Sequence, residues 1–215
     1  MFQKRLFRIA KSRFMGKLVG LAFQYGSRAI PVKTVIPNRK VFVFHHPEPS
    51  YQNHIILSPK RPIQTLKHLS DARFNAYFEK IWAAAMEVHM KHPEIYDSFT
   101  LVANGGKRQE VHQVHFHMFT DHSMVKETAV ETTDENVFYR DEAICICQHP
   151  YPEWEVHLVL TPEGSSQSAY FQSVLRSIDR LNDQFGIVQK GYSLVYQHSA
   201  QNIPVFHIVS GKKHA

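Results

Sequence analysis

Two stretches of this 215-residue chain, 103 positions apart, carry the same punctuation. Phe44-His45-His46-Pro47-Glu48-Pro49 leads to His54-Ile55-Ile56-Leu57-Ser58-Pro59, and Cys147-Gln148-His149-Pro150-Tyr151-Pro152 leads to His157-Leu158-Val159-Leu160-Thr161-Pro162. His46, Pro47, Pro49, His54, Leu57 and Pro59 recur as His149, Pro150, Pro152, His157, Leu160 and Pro162, with no gap. A repeat of this kind means that one supersecondary unit occurs twice and that its copies pack together. In each copy the apolar run flows into a helical pattern. The first pattern is about 63–91, with Phe74, Tyr77, Phe78, Ile81, Trp82, Ala85 and Val88 at helical spacing; the second is about 166–185, with Tyr170, Val174, Ile178, Leu181 and Phe185. Strand-like segments follow, Phe99–Ala103 and Val111–Phe119 in the first copy and Tyr192–Tyr196 and Ile203–Val209 in the second. Strand, strand, helix, strand, strand, twice over, predicts an α+β fold of antiparallel sheet plus helix, duplicated within the chain. A shift of 92 sets Gln109, Val111 and His115 against Gln201, Ile203 and His207.

The expected boundaries are an arm at 1–35, a first repeat at 36–122, a polar linker at 123–142 with room for one short strand, and a second repeat at 143–215. Charge supports a separate arm. Net charge is +6, yet residues 1–47 hold ten Lys and Arg and no Asp or Glu, which leaves fifteen basic against nineteen acidic residues elsewhere. Within the arm, Phe7, Ala10, Phe14, Leu18, Leu21 and Tyr25 form an apolar stripe, with Arg5, Arg8, Arg13 and Lys17 off it. This predicts an amphipathic helix over 2–25, ended by Gly26 and Pro31. Its readings are docking on the protein's own core, docking on an anionic membrane surface, or a transit peptide. No apolar run reaches the length of a bilayer span. Two cysteines, Cys145 and Cys147, make no disulfide framework and fit a reducing, cytoplasmic setting, with peripheral membrane association through the arm as a further option. With His149 they offer a weak zinc pattern.

Chemistry concentrates at Gln113-Val114-His115-Phe116-His117. Read as strand, Gln113, His115 and His117 share one face, and Val114, Phe116 and Met118 turn to the core. Two histidines and a glutamine on one face suit metal binding, covalent catalysis or a merely polar surface. The turn Asn104-Gly105-Gly106, after an apolar strand, would let backbone N–H groups approach a ligand, and Gln109 and His54 lie close in the pattern. No Asp or Glu has clear ligand spacing beside the pair, which disfavours a metal.

At these residues the sequence resembles the histidine-triad (HIT) superfamily, whose pattern is an Asn-Gly turn followed by Gln-x-Val-x-His-x-His-x-His on a strand. Asn104, Gly105, Gly106, Gln109, Val111, Gln113, His115 and His117 fall in register, as do Phe44, Pro49, His54, Pro59 and Lys60 upstream. The match covers about 40–120 well and 143–213 weakly. The resemblance implies a nucleotidyl hydrolase or transferase that needs no metal or other cofactor. His115 would attack the α-phosphorus of a nucleoside phosphoramidate, dinucleoside polyphosphate or related nucleotide and form a nucleotidyl-histidine. His117 would contact phosphate oxygens or the leaving group, and Gln109 would position the phosphate. Asn104 and Gly105 would line the pocket, and Phe44, His46, His54 and Lys107 join them as substrate-binding candidates.

Three departures stand out. Gln113 replaces the first triad histidine, as a Gln replaces the last in relatives of the galactose-1-phosphate uridylyltransferase type; Gln113→His would restore the triad and is expected to be tolerated. His46 stands where many members have a ribose-binding Asp. Glu110 replaces a small Ser, and needs Lys107 or Arg108 to screen it from phosphate. In copy two, His207 is taken as the counterpart of His115, with Val205 and Val209 around it, and that copy is read as catalytically dead. Fusion of two copies also implies an intrachain pseudo-dimer that works as a monomer. The alternatives are a non-catalytic nucleotide-binding regulator and an aprataxin-like enzyme acting on nucleic-acid ends, with the basic arm on phosphates.

Overall fold

The computed structural model describes residues 33–71, 73–74, 76–121, 124–125, 135–164, 166–198 and 204–214. The expected arm helix over 2–25 lies outside them, as do Gln201 and Ile203 of the second repeat. In chain order the elements are β1 (Thr34–Ile36), β2 (Val41–His45), β3 (Ile55–Pro59), α1 (Leu66–Leu69), α2 (Ala76–Lys91), α3 (Pro93–Tyr96), β4 (Phe99–Gly105), a 3-10 turn at Gly106–Arg108, β5 (Phe116–Phe119), β6 (Val137–Arg140), β7 (Ile144–Gln148), β8 (Trp154–Pro162), α4 (Gln167–Phe185), α5 (Ile187–Lys190), β9 (Tyr192–His198) and β10 (Phe206–Lys213). The α+β class holds. β6 supplies the short strand allowed for in the linker, and β1 straddles the expected end of the arm.

Among the described residues, ten strands join one antiparallel sheet in the order β1-β2-β3-β5-β4-β9-β10-β8-β7-β6, which reads alike from either edge. The register makes this concrete. One row of directly paired residues runs Thr34, Phe44, Ile56, His117, Val102, Val195, His207, Val159, Cys147, Val137. Cross-strand partners share a face, so this row marks one side of the sheet from end to end. Their chain neighbours take the other side: Val43, Leu57, Phe116, Leu101, Leu194 and Ile208 belong to the main core.

That core lies under the helices. α4 buries Tyr170, Phe171, Val174, Leu175, Ile178 and Leu181 along one stripe; Ser166 caps its start by accepting from the N–H of Ala169, and Gly186 ends it at φ 62°. α2 buries Phe78, Ile81, Ala84, Ala85 and Val88. Phe78 meets Phe171 of α4 at 4.9 Å between ring centres and Phe206 of β10 at 5.6 Å, so residues from both parts of the chain close one layer. Truncating a ring buried this way costs about 3–5 kcal/mol.

Two expected elements differ. The helical pattern at 63–91 is two separate helices, α1 and α2, because past the end of α1 Ser70 Oγ donates to the Lys67 carbonyl and Asp71 Oδ1 accepts from the Arg73 N–H. These short polar side chains offer the backbone an alternative to the helix ladder. The strand expected over Val111–Phe119 begins at Phe116. Val114 N–H donates to the Ile63 carbonyl and Gln113 N–H to that of Val111, so residues 111–115 follow the loop after β3 rather than the ladder.

Candidate functional site

The side of the sheet turned away from the helices carries a cavity of about 380 Å³ lined by His46, His54, Asn104, Arg108, His115 and His117 among others, within the range of small-molecule sites. His117 projects from β5 because it pairs with Ile56 and Val102 in the row described above. His54 stands just before the start of β3, and His46 just past the end of β2. The two lie face to face, ring centres 4.1 Å apart and 9° from parallel, with Tyr51 stacked on Phe119 at 4.0 Å beside them.

The partners of each ring nitrogen assign its tautomer. Glu48 N–H donates to His46 Nδ1, and Ser50 N–H to His54 Nδ1. In the neutral rings the hydrogen therefore sits on Nε2. His54 Nε2–H donates to His117 Nδ1 at 2.8 Å, which places the hydrogen of His117 on Nε2, free to donate into the cavity. At His115 the order reverses. Its Nδ1 meets the Gln113 carbonyl at 2.8 Å, and a carbonyl only accepts. Nδ1 is thus the protonated nitrogen and Nε2 carries the lone pair. Burial disfavours the charged form of two of these rings: it lowers His54 to about 3, with His46 and His115 adding to the shift, and it drives His117 well down. His115 is lowered by burial, opposed by the Gln113 carbonyl and the Glu110 carboxylate.

Gln113 does not share the face of His115 and His117. Its side chain is 1% exposed. Nε2 donates to the Pro59 and Arg61 carbonyls and Oε1 accepts from the Ile63 N–H. Strand alternation fails at this position because the chain has left the ladder. Of the other expected site residues, His46, His54, Asn104, His115 and His117 converge on the cavity. Gln109 binds the Val111 carbonyl and, more closely, that of Gln64, and Lys107 is exposed; neither is among the residues lining the cavity. Phe44 packs with Phe42 and Ile56 two strands from His117. Gly105 is needed for close approach of a different kind: a Cβ there would stand 2.1 Å from the Tyr192 ring. Of the two cations named as screens for Glu110, it is Arg108 that shares the cavity with it. Tyr51, Phe119, Glu48 and Ser50 were missed; the match of Tyr51 to Trp154 at the same 103-residue shift was a signal for the first of these.

The second part of the chain repeats the histidine stack. His149 lies on His157 at 4.1 Å and 9°, Tyr151 N–H donates to His149 Nδ1, Glu153 N–H to His157 Nδ1, and His157 Nε2 meets His207 Nδ1 at 3.2 Å. The equivalence proposed from sequence therefore moves by two residues, to the next position on the same strand face. His207 pairs with Val195 and Val159 as His117 pairs with Val102 and Ile56, so it answers to His117 and not to His115. Val205 then holds the place of His115. The shift of 92 was in error because the connection from β9 to β10 is shorter than that from β4 to β5. In each trio the ring nitrogens lie close enough to suggest a metal. An ion would need the Nε2 lone pair, hence a hydrogen on Nδ1, where two backbone N–H groups already point. The donor sets fit a hydrogen-bonded stack better than an ion. Cys145 and Cys147 are buried on β7, with Cys147 Sγ against the Val159 carbonyl, and join neither trio.

Comparison with known proteins bears on the family and the fold. The model of the HIT domain matches residues 27–124. A DUF4931 family protein from Bacillus cereus superposes with a TM-score of 0.57 at 10% identity, over 85% of this chain and 87% of that one. A GalT-like protein from Arabidopsis thaliana gives 0.54 at 10% identity, over 91% and 83%. A uridylyltransferase gives 0.52 at 12% identity, over 86% and 80%. These likenesses are of fold and extend across both parts of the chain. None of the curated proteins matches the sequence.

Proposed function

We propose, from the match of residues 27–124 to the model of the HIT domain, that the chain is a nucleotidyl hydrolase or transferase with His115 as its nucleophile. The observation that carries this reading is the bond from His115 Nδ1–H to the Gln113 carbonyl. It leaves the Nε2 lone pair on the cavity side and steadies the positive charge that the ring gains when it attacks. In the step proposed, a bond forms between Nε2 and the α-phosphorus of a nucleotide while the bond from phosphorus to the leaving group breaks. The Nε2–H of His117, aligned by His54, is placed to hydrogen-bond the departing group or a phosphate oxygen, and the departing group takes its proton from water. Water, or a second acceptor, then takes the nucleotidyl group and returns His115 to its neutral form. Asn104 and Arg108 are assigned to the phosphate, and the stacked His46 and His54 with Tyr51 to the sides of the cavity.

We read the second part as a scaffold that pairs with the first inside one chain, since the strand order reads alike from both edges but Val205 stands where a nucleophile would be needed. On this reading a monomer suffices.

The test is single-turnover reaction with an adenosine 5′-phosphoramidate or dinucleoside polyphosphate, followed by isolation of the protein. The wild type is expected to carry an acid-labile nucleotidyl adduct on His115, and His115→Ala to form none and to lose at least about a thousandfold in turnover. Nucleotide binding without adduct or turnover would replace this reading with that of a binding protein.

A further inference from the structure

Asn104 and Ser193 face each other across the β4–β9 junction where the two parts of the sheet meet. Ser193 is 2% exposed. Its Oγ receives a bond from Arg108 Nη1 at 3.1 Å and lies 2.8 Å from Asn104 Oδ1. A guanidinium only donates and an amide oxygen only accepts, so the serine hydroxyl takes a hydrogen from Arg108 and passes its own to Asn104. A flipped Asn104 amide would aim two donors at one oxygen and forfeit the acceptor for the buried hydroxyl hydrogen. The oxygen of Asn104 is therefore held toward Ser193, and its NH2 group is turned to the cavity that Asn104 lines.

Arg108 is itself held from the second part of the chain. Nη1 also donates to the Val209 carbonyl at 3.3 Å, Nη2 to the Gly211 carbonyl at 2.7 Å, and the guanidinium lies 4.6 Å over the Trp154 ring. The side chain reaches these partners past Gly191, at φ 83°, where a Cβ would come within 2.8 Å of Arg108 Cγ. The geometry points to Ser193 as a positioning residue for the nucleotide pocket: anchored by Arg108, it orients the Asn104 amide to donate to a phosphate oxygen of the bound nucleotide. The second part of the chain thus has a task in the chemistry of the first, although it has no nucleophile of its own. This inference rests on the nucleotide reading given above.

The experiment is a double-mutant cycle on Ser193→Ala and Asn104→Ala, read by affinity for adenosine monophosphate and by kcat/KM on an adenosine phosphoramidate. Ser193→Ala is expected to weaken binding about tenfold and to lower kcat/KM in proportion, the cost of one misdirected polar contact. The double variant is expected to be no weaker than Asn104→Ala alone, and Ser193→Thr, which keeps the hydroxyl, to recover most of the loss. A merely structural serine would lower the melting temperature and give losses that multiply in the double variant. That result, or an unchanged Ser193→Ala in a wild-type background that does turn over, overturns the relay and leaves the catalytic reading standing. Wild-type protein that binds the monophosphate without turnover ends the catalytic reading, and the cycle in affinity still decides the relay. Wild-type protein that does neither ends both.

Discussion

Gln113 has a demanding environment for one amide. It bonds the Pro59 and Arg61 carbonyls and the Ile63 N–H, and its Nε2 lies 3.4 Å from Ser58 Oγ. The loop after β3 is thereby tied to the segment that presents His115, whose ring leans on the carbonyl of this same residue. An imidazole has two ring nitrogens and cannot serve donors and acceptors on three sides of a buried pocket. Gln113→His, favourable on the sequence pattern alone, is therefore expected to destabilise the protein by about 2 kcal/mol or more through unsatisfied buried groups, and to lower turnover. Thermal denaturation of the variant beside a phosphoramidate assay checks both; a variant as stable and as active as wild type would show that the amide network is dispensable.

At the level of elements, the seam between β4 and β9 decides how the two parts cooperate. Gly105 pairs with Tyr192, and the tyrosine ring occupies the space that a side chain at 105 would need. Burial, with a smaller contribution from Asp179, pushes the Tyr192 hydroxyl well above the usual phenol range, so the ring is a neutral, tightly packed wedge. Gly105→Ala sets a methyl group against it, and the ring can yield only by shifting β9 or its own rotamer. Overpacking of this sort costs about 1–3 kcal/mol. Because Asn104 precedes Gly105 and Ser193 follows Tyr192, the strain falls on the positioning relay. The expected outcome is a lower melting temperature together with a raised KM for the nucleotide; an unchanged KM would mean that the seam and the pocket are mechanically separate.

For the whole molecule, two stacks of neutral histidines inside one sheet make stability depend on pH. Burial holds His54, His157 and His207 each at about 3 in the folded chain, against 6.5 when exposed. Above about pH 6.5 folded and unfolded chains alike carry these rings neutral and stability is at its full value. As pH falls below that, the unfolded chain takes up protons that the fold refuses, and stability drops progressively toward pH 3. Most carboxylates titrate below this upper window, so the histidines dominate between pH 6.5 and 5. A fall in melting temperature of about 5 °C or more from pH 7 to pH 5 is expected by calorimetry, with a plateau from pH 7 to 8. A flat profile over pH 5–7 would mean that the rings are solvated and that the stacks open without cost.

Much of this was legible in order and spacing. Local pattern records what a residue asks of its immediate backbone, and so it indicated the α+β class, the long helix over 166–185, the recurring His-Pro segments and the candidate histidines His46, His54, His115 and His117. Pairing is a long-range matter. The row from Thr34 to Val137 exists because ten strands share one register, and that register, not the 92-residue spacing, makes His207 the counterpart of His117. Whether Gln113 stays on a strand depended on competition from carbonyls more than fifty positions upstream, which no window along the chain contains. The same holds for Ser193: a serine in an apolar strand has nothing in its sequence to mark it, and it acquires its role from Arg108 and Asn104, brought to it only when the two parts of the chain close into one sheet.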